Sequence, residues 1–339
     1  MYNISLITGD GIGPEISESA LSVLETINDK LGLKLSIKKL QAGDFALKET
    51  GKALPDETLS SIKQSSACLK APVGESAADV IVYLRRILDL YANIRPAKSY
   101  PNMPALRDDV DLVIVRENTE DLYKGEEFDI DDSTSVALRT ITKKASERIA
   151  NYACIIAEKR AKKNKITCVH KSNVMKKTDG LFARSCENEI KKHSGITFEQ
   201  MYVDACAMNL IRQPQEFDVI VTTNLFGDIL SDEAAQVIGG LGMAPAANIG
   251  DDFALFEPVH GAAFDIAGKQ IANPSSFLLS MKMMFDWLAM KHNDSKCNEI
   301  AEKLEKTIYS VVKDGIKTKD IGGQKSTREF TQEIISRLV

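Results

Sequence analysis

Three stretches of the chain share one pattern, a run of apolar residues that ends in polar ones. They span residues 110–118 (VDLVIVREN), 165–173 (KITCVHKSN) and 217–228 (FDVIVTTNLFGD). A continuous apolar run is typical of a buried strand in a parallel sheet. In open α/β sheets, ligands bind beyond the carboxyl ends of such strands. We therefore expect the polar residues after these three strands to meet at one site.

Strand and helix patterns alternate along the rest of the chain, which predicts an α/β fold. Residues 4–7 and 33–40 and the stretch SSACLKAP predict strands, and residues 16–31 place apolar side chains at helical spacing. Residues 78–94 (ADVIVYLRRILDLYANI) predict an amphipathic helix. Residues 124–142 alternate in the manner of a strand, which predicts a β-arm ahead of the helix KKASERIANYACIIAEKRAKK.

The opening turn, LITGDGIGPEI, resembles a dinucleotide-binding fingerprint but departs from it. The Rossmann pattern is G-x-G-x-x-G, whereas here the glycines are Gly9, Gly11 and Gly13, so the third comes one residue early. The fingerprint also needs an acidic residue after the second strand, where this chain has Gln41. Pro14 is ordinary chemistry for a helix start. The sequence predicts a tight strand-to-helix turn and argues against a Rossmann site.

Composition bounds the class of protein. The 339 residues suggest about two domains, and 44% hydrophobic with 27% charged residues is typical of a globular chain. The net charge of −5, without a basic block, argues against nucleic acid as a partner. No apolar run approaches the roughly 20 residues that cross a membrane, and the chain opens on a strand pattern rather than a signal peptide. Six scattered cysteines without a C-x-x-C pair predict no disulfide framework, so we expect a cytoplasmic protein.

Acidic residues suggest a metal site. Asp228 and Asp232 are four residues apart, which places both carboxylates on one face of a helix. Asp204, in MYVDACAMN, follows another predicted strand. Hard oxygen ligands suit Mg²⁺ or Mn²⁺. The helix dipole alone would also favour acids near a helix start, so the spacing leaves a structural explanation open.

Basic and phenolic residues complete the candidate chemistry. Arg85, Arg95 and Arg116 are suited to bidentate recognition of carboxylates. Tyr123 and Lys171 near a divalent metal would serve as acid and base. Each residue taken alone is better explained by a structural or surface role. Together they suggest chemistry on a metal-bound hydroxy-carboxylate.

Several of these stretches carry a family resemblance. GDGIGPE, DLYANIRPAKS, VIVRENTEDLYKGEE, VHKSNVMKKTDG, NLFGDILSDEAAQVIGGLGMAP and FEPVHGAAFDIAGKQIANP resemble the isocitrate and isopropylmalate dehydrogenase family. The resemblance runs from Leu6 to the DIGG motif at residues 320–323, and its motifs are long and ungapped.

The resemblance implies a two-domain α/β fold with a large central mixed sheet that is not a Rossmann fold. Residues 1–92 and 239–339 would form the cofactor-side domain. Residues 93–238 would form the metal-binding and dimerisation domain, with the arm near residues 124–142. The family assembles as homodimers, or tetramers, whose active sites are shared between subunits.

The resemblance also assigns roles to individual residues. Lys171 and Asp204 would reach the site from the other subunit. By role, the residues are Asp204, Asp228 and Asp232 for Mg²⁺ or Mn²⁺, Tyr123 as proton donor, Lys171 as base, and Arg85, Arg95, Arg116 and Asn173 for substrate.

The family's nucleotide site corresponds to residues 257–273, with the first glycine turn as a wall of the cleft. Asp265 stands where NAD-dependent members place an acid for the ribose hydroxyls, and Asp265-Ile266 replaces the Lys-Tyr pair of NADP-dependent members. A carboxylate would repel a 2′-phosphate, so we expect NAD. Phe264 replaces the usual proline. The nucleotide-binding residues implied are His260, Gly261, Ala262, Ala263, Asp265, Ile266 and Asn273.

The resemblance implies a 3-substituted malate as substrate. The helical turn before Arg85 reads the group on carbon 3. Isocitrate members place Ser and Asn at the positions of Asp79 and Ile81, and some homoisocitrate members place Arg at Val82. Ile81 and Val82 are apolar, and a carboxylate buried there without a donor would cost several kcal/mol. We therefore expect oxidative decarboxylation of 3-isopropylmalate to 4-methyl-2-oxopentanoate and carbon dioxide, a step of leucine biosynthesis.

Other interpretations stay open at this point. Isocitrate and homoisocitrate are alternative substrates, and Ile81 and Val82 are alternatively helix core residues. Bacterial isopropylmalate members carry Glu at the position of Ala78, and Glu75 is a candidate substitute. A non-catalytic regulatory subunit would share the fold but lose catalytic residues. Tyr123 and the other implied catalytic and metal-binding residues are all present, which argues against that class.

Overall fold

The structure is a computed structural model that describes residues 1–339. One ten-stranded sheet and one separate hairpin contain all the strands. In chain order the strands are β1 (Tyr2–Ile7), β2 (Leu35–Leu40), β3 (Ala67–Lys70), β4 (Ala92–Lys98), β5 (Asp111–Glu117), β6 (Glu127–Asp131), β7 (Thr134–Ala137), β8 (Lys165–His170), β9 (Thr197–Tyr202), β10 (Val219–Thr222), β11 (Pro245–Ile249) and β12 (Ala254–Pro258).

Helices cover both faces of the large sheet, and none is long and apolar enough to cross a membrane. The α-helices are α1 (Gly13–Lys30), α2 (Asp44–Thr50), α3 (Asp56–Gln64), α4 (Tyr83–Ile87), α5 (Lys143–Arg160), α6 (Thr178–Ile190), α7 (Val203–Arg212), α8 (Asn224–Val237), α9 (Ser275–His292), α10 (Ser295–Lys313) and α11 (Thr327–Leu338). One π-helical turn, Ala78–Val82, precedes α4.

The strand order of the sheet is β2-β1-β3-β12-β11-β4-β5-β10-β8-β9. The four strands at each end run parallel to one another, while β11 pairs antiparallel with both β12 and β4, and β4 pairs antiparallel with β5. This mixed sheet confirms the expected fold class and excludes the all-parallel Rossmann order. Three strands were predicted to end in polar residues, and they are β5, β10 and β8. These strands lie side by side and end at the same edge of the sheet.

Apolar side chains fill both faces of the sheet. The largest apolar cluster packs α1, α5, α9, α10 and α11 against one face, and a smaller cluster packs α7 and α8 against the strands from β4 to β8 on the other. A third cluster lies beneath the end formed by β1, β2 and β3. Because β5 and β10 are buried on both faces, their sequences are continuous apolar runs rather than alternating ones.

The predicted helix over residues 78–94 is wrong at its carboxyl end. The helical turns end at Ile87, Asp89 takes a left-handed backbone with φ of 46°, and β4 begins at Ala92. Leu90, Ala92 and Ile94 are buried because β4 lies between β11 and β5. Periodicity does not separate such a strand from a buried helical segment when the two are contiguous.

The glycine-rich turn is required by close backbone packing. A Cβ on Gly9 would lie 2.0 Å from the carbonyl oxygen of Pro72, and one on Gly11 would lie 2.0 Å from that of Ala262. The amide of Ile12 donates to the same Ala262 carbonyl over 2.8 Å. The turn is therefore a tight strand-to-helix connection, as predicted, and it lies directly against the loop at residues 260–266.

Asp10, between those glycines, joins three separate segments. Its carboxylate accepts the backbone amides of Asp44 at 2.8 Å, Phe45 at 3.0 Å and Gly74 at 3.0 Å. Asp10 is buried, so these bonds satisfy an anion that would otherwise be costly to remove from water. The acidic residue of the GDGIGP motif is thus a structural anchor of the cleft wall.

Candidate active site

Arg116 reaches the edge of the sheet at the end of β5. Its side chain is fully buried, and its Nε donates to Asn224 Oδ1 over 2.9 Å. A Cβ on Gly227 would lie 2.5 Å from Arg116 Cγ, so the glycine of NLFGD allows α8 to pack against this arginine. The polar ends of β5 and β10 therefore meet, as their sequences predicted.

Two arginines converge on the two aspartates of α8. Arg116 forms an ion pair with Asp228, and Arg95 Nη1 lies 3.3 Å from Asp228 Oδ1 and 3.4 Å from Asp232 Oδ1. Arg95 Nη1 also donates to Ser231 Oγ over 2.7 Å. The side chains of Asp228 and Asp232 are 37% and 54% exposed, so their carboxylates remain accessible from solvent.

Tyr123 joins this cluster through its hydroxyl group, which donates to Asp228 Oδ2 over 2.6 Å. The guanidinium carbon of Arg116 lies 4.9 Å from the centre of the tyrosine ring. Burial and the hydrogen bond to Asp228 raise the pKa of Tyr123 above its usual value. The phenol is therefore protonated at neutral pH and has a proton to give.

Charge within the cluster is balanced for an anionic ligand. Burial opposes ionisation of Asp228, but the guanidinium groups of Arg116 and Arg95 outweigh it and hold its pKa below the usual range. Burial raises the pKa of Asp232, with Arg95 opposing that shift. Burial and the positive charges of Arg95 and Arg85 lower the pKa of Arg116. Its Nη2 is buried without a hydrogen-bond partner, so one strong donor remains free for a carboxylate oxygen.

Lys171 and Asp204 form a second, separate group. Lys171 Nζ lies 2.5 Å from Asp204 Oδ1, and the Asp204 side chain is 66% exposed. Asn173 is exposed in the same loop. Within one chain no group of three His, Cys, Asp or Glu side chains converges as metal ligands, so Asp204 does not meet Asp228 and Asp232. A single chain therefore divides the predicted site residues between two places.

A buried ion-pair network supports the Lys171 loop. The Arg139 guanidinium forms ion pairs with Asp121 and Asp179 and donates to Thr223 Oγ1 over 2.9 Å. Asp179 accepts the backbone amide of Lys171 over 2.6 Å, which fixes the end of β8. Sequence reasoning missed this network, because its members lie in segments whose patterns show only an arm, a loop and two helix starts.

Arg85 lies in a buried network one step away from the aspartates. Its Nη2 lies 3.2 Å from Glu257 Oε1, and Lys70 Nζ lies 2.8 Å from Glu257 Oε2. Burial would raise the pKa of Glu257, but Lys70 and Arg85 outweigh it and lower that pKa to about 2. Glu257 thus stays ionised and holds the Arg85 guanidinium in place. Lys70 and Glu257 had no sequence signal beyond their position at strand ends.

Two asparagines connect this network to the aspartate cluster. Asn248 Oδ1 accepts Arg85 Nε over 2.9 Å and Asn93 Nδ2 over 2.8 Å. Asn93 Oδ1 in turn accepts Arg95 Nε over 3.0 Å. Asn93 and Asn248 are direct partners in the β4–β11 pairing, at the centre of the sheet. A continuous chain of hydrogen bonds therefore runs across the two halves of the sheet beneath the cleft.

The turn expected to read substrate has one buried and one partly exposed apolar residue. Ile81 is 8% exposed and packs into the apolar cluster beneath β1, β2 and β3, as the helix-core interpretation expected. Val82 is only partly buried, and it lies three residues before Arg85, on the same helical face. Ala78, four residues before Val82, is exposed. Val82 packs against the same cluster, so Val82 and Ala78 are the apolar residues of this turn that keep accessible surface, whereas Ile81 does not.

The loop expected to bind nucleotide leaves one polar group unpaired. His260 Nδ1 lies 3.1 Å from the Gly261 carbonyl oxygen, while its Nε2 is buried without a partner. Burial lowers the pKa of His260, which keeps the imidazole neutral. A Cβ on Gly261 would meet nothing within 4 Å, so there is open space beside the loop. An unpaired ring nitrogen in a loop that borders open space leaves a hydrogen-bonding position for a ligand such as a nucleotide.

The remaining nucleotide-loop residues differ in their exposure and partners. Asp265 is exposed, Ile266 is partly buried, and Ala263 has a left-handed backbone with φ of 40°. Asn273 is buried, and its Nδ2 donates to Asp320 Oδ2 over 3.0 Å. This bond ties the end of the loop to the DIGG motif. Ala262 contacts the opening turn, as described above.

Comparisons with known proteins match this arrangement over the full chain. Residues 3–334 match the family described as isocitrate/isopropylmalate dehydrogenase. The chain is 52% identical to a 3-isopropylmalate dehydrogenase of Sulfurisphaera tokodaii, covering 99% of each. It is 46% identical to an isocitrate/homoisocitrate dehydrogenase of Thermus thermophilus, covering 99% of this chain and 98% of the relative.

A solved structure has the same fold. The crystal structure of isocitrate dehydrogenase from Methylococcus capsulatus superposes with a TM-score of 0.93 at 42% identity, covering 100% of this chain and 99% of that one. Shared motifs, a shared fold and full-length identity to several members agree with one another. The chain belongs to the isocitrate and isopropylmalate dehydrogenase family.

Proposed function

We propose that this protein is a metal-dependent decarboxylating dehydrogenase that oxidises 3-isopropylmalate with NAD to 4-methyl-2-oxopentanoate and carbon dioxide. The observation that carries the proposal is the convergence of Arg95, Arg116 and Tyr123 on Asp228 and Asp232. It combines cations for carboxylates, oxygen ligands for a divalent metal and a protonated phenol in one open cleft.

The apolar turn before Arg85 supports 3-isopropylmalate over a tricarboxylate. Val82 and Ala78 offer methyl groups, and Asp79 on the same turn is an exposed acid that would repel an additional carboxylate. An isopropyl group gains about 1–3 kcal/mol from burial, whereas a carboxylate without a donor loses several. A relative at 52% identity is named for 3-isopropylmalate, while the relative named for isocitrate and homoisocitrate is 46% identical.

The donor set fits a divalent metal. Asp228, Asp232 and Asp204 of the partner subunit would hold Mg²⁺ or Mn²⁺, since exposed carboxylate oxygens are the ligands these ions prefer. A metal there would supply Lewis-acid polarisation of the substrate's hydroxyl and carbonyl oxygens. Arg116 and Arg95 then fix the substrate carboxylates, and the unpaired Nη2 of Arg116 gives a donor already free of competing bonds.

Proton transfer follows from the positions of the two remaining groups. The partner subunit's Lys171, as the neutral amine, accepts the proton of the substrate hydroxyl as hydride leaves carbon 2. Loss of carbon dioxide from the resulting 2-oxo acid leaves an enolate, and Tyr123 gives its hydroxyl proton to it. The raised pKa of Tyr123 keeps that proton in place until this step.

Assembly as a homodimer brings the two groups of residues together. Lys171 and Asp204 lie apart from Asp228 in one chain, so a complete site requires a second copy. Large apolar side chains on α7 and α8, Met208, Ile211 and Ile229, are about half exposed and are suited to an interface between copies. A tetramer built from such dimers would keep the same shared sites.

The chain also divides at the centre of the sheet. In the spatial order of the sheet, the strands β2, β1, β3, β12 and β11 come from residues 1–92 and 239–339. The strands β4, β5, β10, β8 and β9 come from residues 93–238, apart from the first residue of β4. The strands β6 and β7 form an exposed arm. We infer two domains with these boundaries, hinged at the β4–β11 pairing. The cleft then lies between the domain carrying the nucleotide loop and the one carrying Asp228.

NAD is the proposed cofactor, and it would accept the hydride from carbon 2. His260 Nε2 and Asn273 would bind its adenosine half, and Asp265 would accept hydrogen bonds from the ribose hydroxyls. The exposed Asp265 carboxylate disfavours NADP, because a 2′-phosphate would place two anions together.

Metal-dependent NADH formation tests this assignment. Purified protein with 3-isopropylmalate, NAD and Mg²⁺ should release NADH and carbon dioxide in equal amounts, and a chelator should abolish both. A regulatory subunit would produce neither product under these conditions.

A further inference from the structure

A second cavity lies on the face of the sheet opposite the candidate active site. Its floor includes Ile94 and Pro96 of β4 and Val113 of β5. Side chains alternate between the two faces of a strand, so these residues point away from Arg95 and Arg116. The cavity and the active site therefore share the same strands but are separated by the sheet.

The walls of this back cavity come from distant parts of the chain. Ile156 and Lys159 of α5 form one wall, and Leu279 and Met283 of α9 form the other, with Glu305 of α10 beside it. The cavity volume is about 400 Å³, within the roughly 300–1,000 Å³ of small-molecule sites.

Charge around the back cavity is predominantly positive. Five cationic and three acidic side chains line it, a net charge of +2; they are Lys98, Lys159, Arg160, Lys162, Lys282, Asp111, Asp286 and Glu305. All three acids are committed to neighbours: Glu305 lies 2.7 Å from Lys98 and 3.0 Å from Lys282, Asp286 lies 2.9 Å from Lys282, and Asp111 lies 3.0 Å from Arg160. Arg160 also pairs with Asp218, behind the lining, over 2.8 Å. Lys159 lines the cavity at the end of α5 and is exposed, and none of the salt bridges of the structure includes it, so its ammonium group is available to a ligand.

We propose that the back cavity binds a small organic anion with one carboxylate or sulfonate on an apolar body. The apolar part lies on Ile94, Pro96 and Met283, and the anionic group pairs with Lys159 at the rim. The net positive charge of the lining disfavours a cationic ligand. A neutral ligand of the same shape gains the apolar contact but not the ion pair. This site is independent of the substrate and cofactor proposed above, because the sheet lies between them.

Fluorescence of 8-anilino-1-naphthalenesulfonate, an apolar anion, tests the proposal on the full chain. Saturating NAD is present so that the dye does not bind in the nucleotide site. The dye should bind saturably, hexanoate should displace it, and hexylammonium should not. Lys159→Glu should weaken dye binding at least about fivefold, since it exchanges attraction for repulsion at the rim. Met283→Trp should reduce it further by filling the cavity. Lys144→Glu, an equal charge change at an exposed position of the same helix, is the matched control and should leave it unchanged.

Two results would overturn the proposal. One is the absence of saturable dye binding. The other is binding that Lys159→Glu and Met283→Trp leave unchanged, or that hexylammonium displaces as well as hexanoate does, because the dye would then occupy another site. Lys159 is exposed, so its replacement leaves the core intact, and equal thermal unfolding of all variants verifies this.

Discussion

Tyr123 donates its hydroxyl group to Asp228 over 2.6 Å, so the proposed proton donor touches a proposed metal ligand. Tyr123 comes from the turn after β5 and Asp228 from α8. Their contact places the acid beside the point where a substrate bound to Asp228 through a metal would react. The relationship joins two residues 105 positions apart in sequence.

Replacing Tyr123 by Phe should lower kcat by about a hundredfold, the usual loss when a general acid is removed. KM for the substrate should change little, because the arginines bind the carboxylates. Steady-state NADH formation measures both constants. Tyr309→Phe, at a partly exposed tyrosine of α10, is the control and should behave as wild type. A Tyr123→Phe enzyme with kcat within twofold of wild type would refute the role as proton donor.

Shared active sites predict complementation between inactive chains. Asp204→Asn and Asp228→Asn should each be inactive alone. Mixed and reassembled in equal amounts, they should recover about a quarter of wild-type activity, because half of random dimers are mixed and each has one intact site. A mixture of Asp228→Asn with Asp232→Asn should recover none, since both changes fall in the same half of a site. Equal activity in the two mixtures, or none in the first despite proven heterodimers, would contradict sharing.

Cofactor choice should depend on the charge at residue 265. Wild type should favour NAD, and the pair Asp265→Lys with Ile266→Tyr should shift the ratio of kcat/KM toward NADP by at least about tenfold through attraction of the 2′-phosphate. Asp265→Asn removes the repulsion without adding a cation, so its ratio should fall between the two. The prediction is wrong if the wild type uses NADP equally well.

Glu257 should make stability depend on pH in the acid range. Its pKa is about 2 in the folded chain against an ordinary 4.5, so between these pH values the folded chain binds fewer protons than the unfolded chain. The stability that this difference contributes is complete above pH 4.5 and is lost as pH falls toward 2. Glu257→Gln should flatten the unfolding free energy over that range. It should also reduce stability at neutral pH by about 3 kcal/mol, because Lys70 and Arg85 lose a buried partner.

Denaturant unfolding at a series of pH values measures this dependence. Glu299→Gln, at an exposed glutamate of α10, is the control and should leave the curve unchanged. An unaltered slope between pH 4.5 and 2 in Glu257→Gln would show that the buried network does not set acid stability.

The sequence predicted those features that depend on local pattern. The apolar runs of β5, β8 and β10 identified strands whose polar ends approach one edge, and the four-residue spacing placed Asp228 and Asp232 on one helical face. The glycine turn was also predictable, because the spacing of its glycines departs from the Rossmann pattern in the sequence itself.

Features that depend on tertiary pairing were not predictable in this way. Lys70 and Glu257 are 187 residues apart, and neither residue's neighbours indicate that β3 and β12 lie side by side. The burial of Ile81 and the strand at Ala92 are set by what packs against them, which periodicity does not contain. Family resemblance supplied roles for single residues but not the hydrogen bonds that position them.

We propose that the active site accepts a malate with an apolar group on carbon 3. The most direct test is kcat/KM for 3-isopropylmalate, isocitrate and homoisocitrate, measured with NAD and Mg²⁺ on one preparation. We predict that 3-isopropylmalate has the highest value, by at least about a hundredfold, since an unpaired carboxylate beside Val82 costs several kcal/mol. A higher value for either tricarboxylate would contradict the substrate assignment.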